Sequence, residues 1–441
     1  MNKYCVLALL FALSISGCSS TPTPRNDATV LEHPDQFLVI AVQNDTHSGS
    51  IHVGSTARGY DAGNAYLQSA RARKLLRDIA RDYQLQSVQS WPIQVLSMQC
   101  VVFKPVNNAP TNEIIEKLQH DPRVMLAQQL NSFMTNTAPA ADHSIRDVQH
   151  TDNYAALQHS MERMEVIGAH QWSQGQGINI AVIDTGMDIA HPDLKGRIRT
   201  MRNFVNGDPS LFEMDRHGTE VAGVMAANLS NHAGITGVAP GANLVALKAC
   251  WQLYADRDEA RCNSFTLAQA LASAIELHVN IINLSVVGPD DILLSALVKR
   301  AQKSGIIVVG AMDSDGHAGF PAIIPDVIAV SAMEQPSEKH VNTITAPGRD
   351  VLTLLPGGRY DFSSGSSIAT AEVSGTVALI LATPHGSKLN GEQVHQLLMQ
   401  STETSATDKL SSVNACLALS QLMNQQGCER KNMETSRAVS R

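Results

Sequence analysis

Asp184, His217 and Ser367 are of the three types that together turn a hydroxyl group into a nucleophile. A serine hydroxyl attacks poorly unless a neighbouring base removes its proton, and a neutral imidazole does this near neutral pH. A carboxylate on the other ring nitrogen fixes the imidazole tautomer and stabilises the imidazolium that forms. Singly, each residue has an ordinary explanation. Asp184 closes the apolar run INIAVID and suits a turn, while His217 in DRHGTEVAG and Ser367 in GSSIATAEVSG stand where helices begin, a place that favours capping side chains. Shared placement sets them apart, because all three fall at strand-to-helix junctions of one expected sheet.

The elements around them support that placement. Apolar, strand-like runs occur at INIAVID, NLVALKA, VNIINLS and GIIVVGA, and helix-like stretches at GTEVAGVMAAN, TLAQALASAIELH, LLSALVKRAQKS and from Ser366 to about residue 382. Near-continuous Val/Ile/Leu strands alternating with helices predict an α/β fold, a doubly wound and mostly parallel sheet covered on both faces. Sites in such sheets lie off the carboxyl ends of the strands. This body spans residues 153–428, with a polar tail at 429–441.

Residues from about 154 to 420 resemble a subtilisin-like (subtilase) catalytic domain. VIDTGMDIAHPDL is similar to the family's Asp region, HGTEVAGVMAA to its His region and GSSIATAEVSG to its Ser region, usually GTSMATPHVAG. GVAPGANLVALK, FPAIIPDVIAVSA and ITAPGRDVLTLLPGG match further stretches, and the chain order Asp, His, Ser is the one subtilisin uses. The resemblance implies a serine endopeptidase acting on protein or peptide substrates through an acyl-enzyme, with no cofactor needed for catalysis. Structural Ca2+ is common among similar proteins, but no loop here shows a dense acidic ligand pattern.

Two departures concern the substrate side. The family's second oxyanion donor, beside the backbone N–H of Ser367, is normally Asn; the matching position here is Asp313. An ionised carboxylate cannot donate a hydrogen bond, so Asp313 must be protonated, displaced or a handicap. Where the family has SLGG along the cleft, this chain reads Ser285-Val286-Val287-Gly288, and Met312 replaces the Gly before the oxyanion residue. Bulk at Val286, Val287 and Met312 predicts a pocket for a small side chain, unless a one-residue shift lets Gly288 take the usual Gly place. A catalytically weak or inactive peptide-binding relative is the alternative, with Asp313 its main support.

The amino-terminal third has a different texture. Residues 1–18 carry a short basic start, an apolar run too short to span a bilayer, and small residues ending at Cys18, as in an export signal. Ile15-Ser16-Gly17-Cys18 resembles a bacterial lipobox, which implies a lipid on Cys18, a membrane partner and placement in the cell envelope as an outer-membrane lipoprotein; the alternative is a plain cleaved signal. Residues 19–34 read as a flexible tether. Residues 35–133 read as a small α+β unit: a strand in QFLVIAVQN, a helix over about 65–83, a strand VLSMQCVVF, a helix NEIIEKLQH capped by Thr111, and a strand RVMLAQQ. The unit resembles the family's propeptide, a folding aid and temporary inhibitor that is removed; the cut is expected between about Asn131 and Asp152, around the linker at residues 134–152.

Of the seven cysteines, Cys250 with Cys262 and Cys416 with Cys428 bracket short segments suited to two local disulfides, each worth about 3 kcal/mol, against the alternative of four buried thiols; Cys100 is left as a buried thiol. The net charge of −8 offers no positive field for a phosphate backbone, so nucleic acid is excluded as a partner. Sixteen His residues include no HExxH, and Gly175-Gln176-Gly177 precedes its strand, where a dinucleotide fingerprint would follow one, so neither a catalytic metal nor a nucleotide site is expected.

Overall fold

The computed structural model describes residues 30, 32–45, 68–107, 109–135, 154–206, 212, 214–228, 234–254, 259–315, 319–335 and 342–425. Cys18, Cys428 and most of the expected linker lie outside these residues.

The amino-terminal unit is a four-stranded antiparallel sheet in the order β2-β3-β1-β4, built from β1 (Leu38–Gln43), β2 (Leu85–Ile93), β3 (Met98–Pro105) and β4 (Leu126–Gln129). Helices α1 (Ala70–Asp82) and α2 (Thr111–Gln119) cover one face, where Leu38, Ile40 and Val42 pack with Leu76, Ile79, Ile114 and Leu118. The alternate residues Val39 and Ala41 point into a second core with residues of the larger unit. Burial on both faces explains why β1 reads as an unbroken apolar run.

Two expectations are corrected here. β2 has no counterpart among the expected strands: it is the sheet edge, largely exposed in its middle, and so carries polar residues. Thr111 is the first helical residue and not the cap, since Pro110 holds that place without a side-chain bond. The helix expected from about residue 65 is described from Ala70, with Ser69 Oγ accepting the Ala72 N–H at 3.1 Å.

The larger unit is centred on a seven-stranded parallel sheet. In chain order its strands are β6 (Asn179–Asp184), β7 (Ile198–Asn203), β8 (Asn243–Lys248), β11 (Ile281–Leu284), β13 (Ile307–Ala311), β14 (Ile328–Ala332) and β15 (Ile344–Ala346). They lie in the order β15-β14-β13-β11-β6-β8-β7. Side chains of β6 alternate between two cores: Ile180 and Val182 face α3 (Arg216–Ala226), while Ala181 and Ile183 face α4 (Ser264–Glu276) and α5 (Ile292–Lys303). Helix α6 (Ser366–Leu381) is buried at every position, which is why it has no solvent-facing polar stripe.

A smaller sheet borders this body, ordered β12-β5-β10-β9, from β5 (Ser132–Thr135), β9 (Cys250–Gln252), β10 (Ala260–Asn263) and β12 (Val286–Val287). β5 straddles the expected boundary between residues 133 and 134: the amino-terminal unit continues, as a strand, into the larger one. Cys250 and Cys262 sit opposite each other on β9 and β10 and form a disulfide. Cys416, in the helix Ala415–Met423, is also disulfide-bonded. Cys100 is a free, buried thiol whose pKa burial pushes up.

Candidate active site

Asp184, His217 and Ser367 are all fully buried, and each stands at a carboxyl strand end or a helix start. Asp184 ends β6, and its Oδ1 lies 2.6 Å from His217 Nδ1 and accepts the Thr185 N–H at 2.6 Å. His217 is the second residue of α3. Gly186 and Gly218 allow the close approach of turn and helix: a methyl group on either would collide with backbone of the facing segment.

Ser367 is the second residue of α6, whose entry is Gly365 at φ 139°, a conformation that favours glycine. The Ser367 hydroxyl donates to the Ser285 carbonyl oxygen at 3.1 Å, and the Ser285 hydroxyl donates back to the Ser367 carbonyl oxygen at 3.2 Å. Ser366 Oγ donates to the Met312 carbonyl oxygen at 2.7 Å, holding the helix start on the segment after β13. Asp313 follows there, half-buried, with Oδ1 accepting from the Ser314 N–H at 2.6 Å and from Ser314 Oγ at 3.2 Å. It acts as an acceptor within its own turn.

Ser285 leads directly into β12, and β12 carries β5 antiparallel, with Val286 opposite Thr135 and Val287 opposite Met134. On its other side β5 pairs with β10, Cys262 opposite Phe133. Phe133 is fully buried, in edge contact with Phe320 at a 5.3 Å ring separation. Gly288 exchanges backbone bonds with Phe320, and a Cβ on it would strike the Phe133 ring. Asp291, buried at the start of α5, joins the two units: its Oδ2 accepts from Gln128 Nε2 at 2.6 Å, Asn131 Nδ2 at 3.0 Å and Ser264 Oγ at 2.6 Å.

Buried charge surrounds the junction. Lys248 pairs with Asp215, and Arg216 Nε bonds Glu220 Oε1 at 2.7 Å. Further along α6, Glu372 is buried, and its Oε2 has no hydrogen-bond partner among the described residues. Desolvation pushes its carboxyl up to about 8, with a hydrogen bond from the Ser160 side chain acting in the opposite direction. Among the described residues no group of three or more His, Cys, Asp or Glu could hold a metal ion.

The expected residues are thus brought together unequally. Asp184 and His217 bond directly, and Ser367 is joined to Ser285 and so to Val286 and Val287. Lys248, Asp215 and the strand β5 were not foreseen. The one available signal was a lysine ending the otherwise apolar run NLVALK.

Residues 175–421 match the Subtilase family. The chain is 38% identical over 230 residues to an "Intracellular serine protease" of Paenibacillus polymyxa, covering 47% of this chain and 68% of that protein. It is 34% identical over 268 residues to the "Major intracellular serine protease" of Bacillus subtilis (strain 168), covering 55% and 82%. Among solved structures, fervidolysin from Fervidobacterium pennivorans, a keratinolytic enzyme related to subtilisin, superimposes with a TM-score of 0.64 at 19% identity, over 87% of this chain and 61% of that one. That likeness concerns the fold.

Proposed function

Because this chain belongs to the subtilase family of serine peptidases, we propose that Asp184, His217 and Ser367 are its catalytic triad. The chain is a serine-type endopeptidase. Ser367 Oγ attacks the scissile carbonyl carbon while His217 Nε2 takes its proton, then gives it to the leaving amine. Water repeats the sequence on the acyl-enzyme. Asp184, 2.6 Å from Nδ1, holds the tautomer and stabilises the imidazolium. The Ser367 N–H serves the oxyanion, with Asp313 standing where a second donor would be useful.

The observation that carries this assignment is the chain segment lying along β12. β5 runs as an extended peptide substrate would, bonded by backbone on both sides, and Thr135 stands opposite Val286, one step from Ser285, whose carbonyl accepts the Ser367 hydroxyl proton. The described register ends with Thr135 opposite Val286, the residue that follows Ser285, and residue 136 is the next in sequence. We therefore assign self-processing to the bond between Asn136 and Thr137, with the amino-terminal unit as propeptide and temporary inhibitor. Val286, Val287 and Met312 favour a small residue before the cut. Export, a lipid on Cys18 and an envelope location complete the proposal, resting on the first 18 residues of the sequence.

A serine-directed fluorophosphonate probe and amino-terminal sequencing, applied to the full-length chain and to Ser367→Ala, test it. The wild type should take the label and yield a terminus at Thr137, and the variant should do neither. Labelling that survives in Ser367→Ala would remove Ser367 as nucleophile. A wild type that neither labels nor processes at any pH would mark a peptide-binding protein without activity, in keeping with the acceptor role of Asp313.

A further inference from the structure

Lys248 closes β8 directly opposite Asp184 and is 3% exposed. An ammonium withdrawn from water needs an opposite charge. Asp215 supplies it: Oδ2 pairs with Lys248 Nζ and also accepts the Gly186 N–H at 2.9 Å. Asp215 precedes α3 at the position where a short polar side chain ordinarily turns back to cap the helix, and it forms no such bond. Its carboxylate is directed instead at the turn after Asp184.

Other bonds run the same way. Thr185 Oγ1 accepts the Gly218 N–H at 2.9 Å, and Thr219 Oγ1 donates to the Asp215 carbonyl oxygen at 2.7 Å while accepting the Asp188 N–H at 2.9 Å. They lace the Asp184 turn to the first turn of α3, and the Lys248–Asp215 pair is the ionic member. Among the described residues, the charged groups around it come from three elements. β6 contributes Asp184, β8 contributes Lys248, and α3 contributes His217 and Arg216. Arg216 is directed to Glu220 at 2.7 Å and Asp361 at 3.4 Å. Asp188 is occupied by the Gly357 N–H at 2.8 Å and the Ala190 N–H at 3.0 Å. Desolvation pushes the Asp215 carboxyl upward, Lys248 works against that, and nearby Asp184 adds to the rise.

We propose that Asp215 and Lys248 are a pair of positioning residues that hold the Asp184–Gly186 turn against His217 and balance the charge beside the imidazole. This rests on the triad assigned above. Removing Asp215 leaves a cation that disfavours imidazolium; removing Lys248 leaves a carboxylate that favours it. The two losses therefore act on His217 with opposite sign.

The test is the pH dependence of fluorophosphonate labelling of the full-length protein, with rates normalised to the sites finally labelled so that misfolded molecules do not count. In Asp215→Asn the acidic limb should move to lower pH, and in Lys248→Met to higher pH, each by about half a unit to one unit. The double variant should return towards wild type, and Lys248→Arg should keep the wild-type limb even if the rate falls. Limbs that stay put or move together, or a double variant no nearer to wild type than the singles, would overturn the proposal. Failure of the triad assignment looks different: the wild type itself would show no Ser367-dependent labelling.

Discussion

The turn after β6 and the edge formed by β12 and β10 border the same active-site region and are built in opposite ways. At the turn, side chains do the holding: Asp184 with His217, Asp215 with Lys248, Thr185 with Gly218. At the edge, backbone pairing carries β5 on both sides. Phe133 is its deeply buried side chain apart from the end of the strand. Side-chain bonds in a dry site fix charges and protons in one geometry. Backbone pairing accepts any extended segment whose alternate residues fit. On the proposed function, chemistry is set on one side of Ser367 and peptide recognition on the other, and the two sides should fail differently.

The largest effect is expected at the turn. Asp184→Asn preserves shape but presents the wrong partner to His217 Nδ1, and kcat should fall about 10⁴-fold with KM little altered. Steady-state kinetics on a peptide substrate check this, and a loss confined to KM would break the contrast. Asp313→Asn should act in the other direction, because an amide donates where a carboxylate cannot, raising kcat by about 10²-fold. An unchanged rate would place the oxyanion contact elsewhere. The smallest effect belongs to the edge. Replacing Cys250 and Cys262 together by Ser removes the covalent tie between β10 and β9 and leaves only their backbone pairing, so KM for substrates long enough to pair with β10 should rise about fivefold, roughly 1 kcal/mol. Shorter substrates should be unaffected; a fall in kcat for both would mean that the disulfide supports the chemistry as well.

The readable parts of the sequence were those with strong local patterns. INIAVID, NLVALKA, VNIINLS and GIIVVGA all fall in the parallel sheet, because strands buried on both faces must be apolar throughout. The helix from Ser366 was legible for the same reason. β2 was not, because an edge strand is half solvated and its QLQSVQSW carries no clean alternation. β5 was not, because NSFMT is too short and polar to signal a strand; its partners lie 127 to 153 positions further along the chain, as the pairings Arg261 with Met134 and Val287 with Met134 show.

From the order of residues alone came the parallel α/β body, the three polar side chains at its junctions and the pairing of Cys250 with Cys262, since each leaves a mark within a short window of chain. Tertiary structure alone decided that residues 132–135 lie between β12 and β10, that Asp215 reaches Lys248, and that Glu372 is buried without a full set of partners among the described residues. These are contacts between segments distant in sequence, and their energies depend on what surrounds a side chain, which no local pattern records.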